Sequence, residues 1–454
     1  MSTKTIESDI ISRDNTSGYV VGSPEFVKAT MRRVTWRLIP YLILAYILNF
    51  IDRVNLGFAA LQMNQELAFS ATVFGYGAGI LFIGYFVFGV PSNLILHRIG
   101  ARIWIGVLLA AWGLVSACMV FTHNETSFYV IRFILGATEA GFFPGVVLYL
   151  SYWYPRQRLG YITAQFMFAM PLSMMIGSVI SGALLQMDGT MGLAGWRWMF
   201  LLEGLPAFLC GLFGIYYLTD KPANASWLSK DQKEWLQSVL DRETAEAKQA
   251  ESAGSQKQEG FLSAIMDWRV LVLGLIYLTY ANGVYGINMW LPQIIKTFGN
   301  LTDTQIGLVS AIPFVVTSVG MVIIGLSSDK RNERKWHCTL CAVVSGVCVY
   351  LTSMTMDNLP LTVALLAVSS VGTYTCLPIF WTVPPTFLTG ATRAAGIGVI
   401  NAIGNLGGLV APIIIGNIKD STGSFQYALM YLGVTSIAGG ILFFIICAKA
   451  HKNR

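Results

Sequence analysis

Twelve mostly apolar stretches, each long enough to cross a bilayer, divide this chain into six, a polar gap, and six more. A spanning helix needs about 20 predominantly apolar residues. The candidates run over 38–61, 71–96, 103–121, 127–150, 159–186, 197–218, 268–295, 304–327, 337–355, 360–387, 391–417 and 425–447. Composition points the same way, with 54% hydrophobic and only 12% charged residues, where a soluble domain carries about 25% charge. Asp and Glu together number 24, against 45 Gly, 26 Phe and 12 Trp. Too few charges exist to face water over the whole surface, so lipid must cover much of it. The expected fold is an all-α integral membrane protein of twelve transmembrane helices in two pseudo-symmetric six-helix bundles.

The gap at 219–267 is rich in charge (Asp220, Lys221, Lys230, Asp231, Lys233, Glu234, Asp241, Arg242, Glu243) and ends in a Glu/Gln/Ala/Ser-rich run through Gln258. It reads as a solvated linker with one surface helix around 231–247. The chain then divides into a tail (1–37), a first bundle (38–218), the linker, a second bundle (268–447) and a short tail (448–454). Residues 1–37 carry Lys4, Arg13, Lys28, Arg32, Arg33 and Arg37 without an apolar core, so the first span reads as a retained anchor rather than a cleaved signal.

Loop charge sets the orientation. Arg98, Arg102, Arg156, Arg158, Lys330, Arg331, Arg334, Lys335, Arg393, Lys449, Lys452 and Arg454 fall on the side of the tails and linker, whereas Arg197, Lys296 and Lys419 fall on the other. Both termini and the linker are therefore expected in the cytoplasm. The formal charge of +6 is spread over these loops and forms no nucleic-acid footprint. The seven cysteines lie almost wholly within apolar stretches, and Cys338-x-x-Cys341 lacks a second ligand pair, so no metal site is expected. All four histidines (His97, His123, His337, His451) fall at loops or a tail, and no buried nucleophile has one beside it, which argues against an enzyme.

Two loops repeat between the halves. Gly89-Val90-Pro91-Ser92-Asn93 leads to Arg98 and Arg102 after the second span, and Gly325-Leu326-Ser327-Ser328-Asp329-Lys330 leads to Arg334 after the eighth. Each has a glycine permitting close helix approach, a polar or acidic residue four positions on, and then a basic cluster. A basic tight loop also suits any cytoplasmic turn.

Inside the spans, ionisable groups are expensive, at roughly 2.5 to 3.5 kcal/mol each on insertion scales. Asp52, Arg53, Arg132 and Glu139 all lie deep in the first half. Two structural ion pairs would suffice to explain them. Spacing allows more: Arg132 and Glu139 are two helical turns apart, about 10 Å, on one side of a helix, while Asp52 and Arg53 diverge by about 100°. Such a face can hold an anion at one group and a proton on another. Glu203 reads as a structural partner near the outer end of the sixth span, with a relay acid as the alternative. The second half has almost no charge deep in its spans.

The duplicated loops and the 6+6 pattern resemble the major facilitator superfamily over essentially the whole chain, with Asn93 standing where an aspartate is common. Within it, Asp52-Arg53-Val54-Asn55-Leu56-Gly57, residues 132–145 (RFILGATEAGFFPG), Gly195-Trp196-Arg197-Trp198-Met199-Phe200 and Asn401-Ala402-Ile403-Gly404-Asn405 are similar to the anion:cation symporter family. The branch resembled contains permeases for 4-hydroxyphenylacetate, tartrate, phthalate and sugar acids.

That resemblance implies a proton-coupled symporter importing a small organic carboxylate by alternating access, with the proton as coupling ion and no cofactor. It implies Arg53 and Arg132 at the substrate carboxylate and Asp52 and Glu139 as the proton-carrying acids. It places Tyr85 at the substrate site; from the residues themselves, Trp381, Asn401 and Asn405 offer an aromatic wall and amide donors there, Asn405 alternatively only joining helices, and Gln165 faces either the ligand or a neighbouring helix. Gly89, Asn93, Arg98, Arg102, Gly325, Asp329, Lys330 and Arg334 are the expected gating-loop residues. An aromatic acid is the favoured substrate, with tartrate or a sugar acid as the alternative. An uncoupled facilitator, an exporter and a non-transporting sensor also stay open. The expected setting is a bacterial inner membrane, with lipid as surroundings and a monomeric chain.

Overall fold

The computed structural model describes residues 19–167, 169–253, 267–388 and 390–452. The tail cations Lys4, Arg13 and Arg454 and the linker run through Gln258 lie outside them. The described residues include twelve helical spans long and apolar enough to cross a membrane. In the first half they are formed by α1 (Pro24–Glu66), α2 (Ala71–Ile99), α3 (Ala101–Ala117), α4 (Glu125–Glu139) with α5 (Phe142–Ser151), α7 (Ala169–Leu184) and α8 (Gly195–Tyr217). The short α6 (Arg156–Met167) precedes α7. A linker helix, α9 (Lys230–Ala253), follows. The second half holds α10 (Trp268–Lys296), α11 (Asp303–Arg331), α12 (Lys335–Thr352), α13 (Leu359–Trp381), α14 (Pro384–Phe387), α15 (Gly390–Thr422) and α16 (Gln426–Lys452).

Local chemistry sets several boundaries differently from the hydropathy reading. The first helix starts at Pro24 rather than at residue 38, because the Ser23 hydroxyl accepts the Phe26 N–H at 3.2 Å and Pro24 occupies the first turn. Its 43 residues extend about 64 Å, twice the hydrocarbon thickness, so Lys28, Arg32 and Arg33 ride on a helical extension and not on an irregular tail. The fourth span is broken at Ala140–Gly141, just beyond Glu139, because Pro144 cannot donate to the Ala140 carbonyl. A Cβ on Gly141 would collide with the Ser92 hydroxyl of α2, so this break also needs the smallest side chain. Gly89, Asn93 and Arg98 lie within α2, and Gly325, Asp329 and Lys330 within α11. The turns themselves come later, at Gly100 (φ +96°) and Asn332 (φ +47°), whose left-handed backbones end the helices.

The linker is not free in solvent. Trp235 packs edge-on against Phe26 at 5.8 Å, Trp227 stacks on Trp153 at 5.3 Å, and Glu243 accepts the Arg156 N–H at 3.0 Å. These contacts fasten it to the first bundle.

The bundles meet at the ends remote from the linker. Asp420 caps α2 from the opposite bundle by accepting the Ala71 and Thr72 N–H groups at 3.0 and 2.7 Å. Gln62 donates to Asp303 at 2.8 Å, and Lys296 donates to the Leu61 carbonyl at 2.8 Å. Among the described residues, the inter-bundle hydrogen bond nearest the linker side is Arg53 to Tyr285. The bundles are therefore tied together at the far end, and Arg53 is the last of these ties towards the linker.

Candidate substrate and coupling site

Arg53 joins the two bundles near their middle. Its Nη2 and Nε both donate to Glu139 Oε2, at 2.9 and 3.2 Å, joining α1 to α4. Its Nη1 donates to the Tyr285 hydroxyl on α10 at 3.2 Å, so one guanidinium spans both bundles. The planar fork of arginine makes this possible, since its donors diverge in fixed directions. The Arg53 carbon also lies 5.0 Å from the Phe50 ring centre, a cation–π contact that offsets part of the lost hydration. Glu139 is almost fully enclosed, and its other oxygen, Oε1, has no partner.

Of the expected site residues, Tyr85 and Trp381 belong to this neighbourhood. Tyr85 is half-buried within electrostatic reach of Arg53, Glu139 and Tyr285. Trp381 packs edge-on against Tyr277 at 5.0 Å, and Tyr277 lies within reach of Tyr285, Tyr85 and Arg53. Close packing places these rings: a Cβ on Gly404 would strike Tyr277, and one on Gly408 would strike Phe82, which itself lies 4.6 Å edge-on from Tyr285. Asn401 is exposed and Asn405 half-buried on the same α15. Gln165 is exposed and donates to the Tyr161 hydroxyl one turn back on α6 at 3.0 Å.

Arg132 and Asp52 are held apart from that centre. Arg132 is wholly enclosed, its Nε donates to the Gly77 carbonyl at 3.2 Å, and both terminal nitrogens lack partners. Asp52 accepts on Oδ1 from Ser116 at 2.5 Å and from Asn55 at 3.1 Å, with Oδ2 unpartnered. The four charges thus form one ion pair and two separate buried groups, rather than two ion pairs. Sequence reasoning missed Tyr285, Tyr277 and Asn55. Tyr277 and Tyr285 are eight residues apart on one broad helix face, but nothing sets them off among 19 tyrosines.

The two gating loops differ. In the second half, Asp329 pairs with Arg334 at 2.6 Å, and Arg334 also donates to Ser328 at 2.8 Å. Burial works against the Glu333 charge there, but N–H bonds from Trp336 and His337 and the His337 ring hold its carboxyl below the usual carboxylate range. In the first half, Asn93 offers no charge, Arg98 is exposed, and Arg102 pairs instead with Asp220 of the linker at 3.1 Å. Lys330 is exposed.

Two helical bundles in a membrane, with a charged and aromatic centre between them, define a secondary transporter. The chain belongs to the Major Facilitator Superfamily, whose profile matches residues 42–300 and 273–453. It is 45% identical over 427 residues to an Agrobacterium vitis protein named "Putative tartrate transporter", spanning 93% of this chain and 96% of that one. It is 41% identical over 430 residues to the "Quinolone resistance transporter" of Acinetobacter baumannii, covering 95% and 98%. Among solved structures, the inward-open xylose transporter XylE of E. coli matches with a TM-score of 0.71 at 16% identity, over 90% of this chain and 95% of that one. The protein is an integral membrane transporter and not an enzyme.

Proposed function

We propose that this transporter imports a small organic carboxylate together with protons, with both termini in the cytoplasm. The observation that carries the reading is the Arg53 guanidinium, which pairs with Glu139 in the first bundle and touches Tyr285 in the second. An incoming carboxylate and the Glu139 carboxylate compete for that one cation. When the substrate takes it, Glu139 is left in a poorly solvated place, where burial favours the protonated acid. Anion binding and proton uptake then reinforce each other. Asp52 supplies a second proton-carrying acid, which a monoanion needs if the inward membrane potential is to drive uptake. Arg132, with its free terminal donors, supports the negative charge of the occupied site.

For the substrate, the 45% identity to a protein named for tartrate transport favours a hydroxylated carboxylate over an aromatic one. The edge-on Tyr277 and Trp381 rings are the feature that favours an aromatic acid. Uptake of labelled tartrate and of labelled 4-hydroxyphenylacetate into proteoliposomes, with and without an inward proton gradient, separates these readings. Accumulation of one acid above equilibrium only with the gradient supports symport and fixes the class. Uptake that equilibrates and ignores the gradient makes the protein a facilitator, and efflux driven by the gradient makes it an exporter.

A further inference from the structure

A second set of buried acids lies inside the first bundle. Glu203 sits on α8, eight residues and about 12 Å from the helix start, deeper than a position near the membrane edge. It is 5% exposed and accepts on Oε1 from Ser181 of α7 at 2.8 Å. Asn55, wholly enclosed, lies against the Glu203 carboxyl and donates to Asp52 Oδ1 at 3.1 Å. Ser116 of α3 completes the Asp52 side. Four helices of one bundle therefore converge on two carboxyls and an amide.

The hydrogen-bond inventory does not balance as drawn. Asp52 Oδ2, Glu203 Oε2 and Asn55 Oδ1 are all enclosed and all without a partner. All three are acceptors, the serine donors are already committed, and the Asn55 amide has one N–H left beyond the one given to Asp52. No cation supplies what is missing. Arg53 is engaged by Glu139 and Tyr285, and Arg197, on the same helix as Glu203, is held by Glu66 and the Val120 and Thr122 carbonyls. From α4, Arg132 and Glu139 act on Asp52 through space with opposite signs. A proton on a carboxyl turns an unpartnered acceptor into a donor and gives a neighbouring acceptor its bond. Protons on the two carboxyls would supply donors to this inventory.

We propose that Asp52, Asn55 and Glu203 form a proton-holding cluster in which Glu203 is a third proton-carrying acid, loaded through Asp52. The inference rests on the symport reading above. On loading, a proton arriving at Asp52 passes to Glu203, so an O–H bond breaks at Asp52 and one forms at Glu203, freeing Asp52 for a second proton. Release runs the same transfers backwards. Because the cluster belongs wholly to the first bundle, it can travel with that bundle while Arg53 alone meets the substrate.

The test is accumulation of the transported acid by proteoliposomes of the full chain under an inward gradient of one pH unit, worth about tenfold per coupled proton. Glu203→Gln keeps the shape and the Ser181 contact but carries no proton. It is expected to accumulate about tenfold less than wild type, with exchange of labelled for unlabelled substrate intact and recovery in Glu203→Asp. Unchanged accumulation in Glu203→Gln overturns the inference and leaves symport standing. If wild type itself fails to accumulate, symport is what falls. Infrared difference spectra on substrate addition, recorded without a gradient, then decide on the cluster, and they also serve if Glu203→Gln does not reconstitute. A protonated-carboxyl C=O band that shifts in Ser181→Ala supports a proton on Glu203, and a band unmoved or absent overturns it.

Discussion

The two bundles share a topology but divide the chemistry. Among the described residues, the buried charged side chains Asp52, Arg132, Glu139 and Glu203 all belong to the first bundle. The second bundle buries neutral polar groups that bond one another: Asn288 with Tyr374 at 2.7 Å, Asn282 with Tyr431 at 2.7 Å, and Ser345 with Thr373 at 2.6 Å. Unpartnered buried groups occur in both bundles, Asn282 Oδ1 among them, but in the first bundle they include carboxylate oxygens and guanidinium nitrogens, whereas in the second they are neutral. A neutral, bonded network holds one shape at any proton load, while a charged one changes its bonding with each proton. The difference teaches that the ionisable groups proposed for coupling are confined to one half, while the other half supplies a neutral wall against which they would work.

The division is broken most severely by Arg53→Ala. It leaves Glu139 enclosed without its cation, which costs about 3 to 5 kcal/mol for a buried pair. Substrate exchange in proteoliposomes should fall by two orders of magnitude or more, about what that energy implies. Placing a charge in the neutral half is the next largest perturbation. Asn288→Asp sets a buried carboxyl against Tyr374, lowering stability by about 3 kcal/mol at neutral pH. Thermal unfolding in detergent should show that loss shrinking as the pH is lowered and the acid is neutralised.

Tyr285→Phe removes only the hydroxyl that Arg53 reaches in the second bundle. Binding of the transported acid should weaken by about fivefold, near 1 kcal/mol, with gradient dependence intact. Glu333→Ala tests the second-half loop. Because its carboxyl is held below the usual range, the stability it contributes is present above the ordinary carboxylate range and lost as pH falls through the lowered value. The variant should lose about 1 kcal/mol near neutrality, as for a lost helix cap, and converge on wild type in acid. The smallest effect is expected from Asn93→Asp, because Arg98 lies five residues on within the same helix, about 140° away, and not across a turn as Arg334 does from Asp329. Its gain in thermal stability should stay within about 1 kcal/mol and vanish in high salt.

Much of this arrangement is legible in the residues. Spans of about 20 apolar residues follow from bilayer thickness, and a charge within one stands out because it is rare there. Asp52, Arg53, Arg132 and Glu139 could therefore be picked out from the sequence alone. Their pairing could not, because adjacency along a helix fixes direction around its axis but not the partner on another helix. Arg53 meets Glu139 across 86 positions and Tyr285 across 232. Tyr285 and Tyr277 were hidden among many aromatic residues, and Asn55 by its place beside more conspicuous charges. The break after Glu139 is readable from Pro144 once its missing N–H is considered. The helical start at Pro24 was masked by polar residues that read as a tail, although Ser23-Pro24-Glu25 is a cap sequence.

The most direct measurement is the number of protons bound when substrate is added to purified protein in weakly buffered detergent near neutral pH. Competition for Arg53 predicts that wild type takes up protons as the substrate binds and that Glu139→Gln takes up one fewer while still binding. Substrate binding with no proton uptake in wild type, or with equal uptake in both proteins, would contradict it.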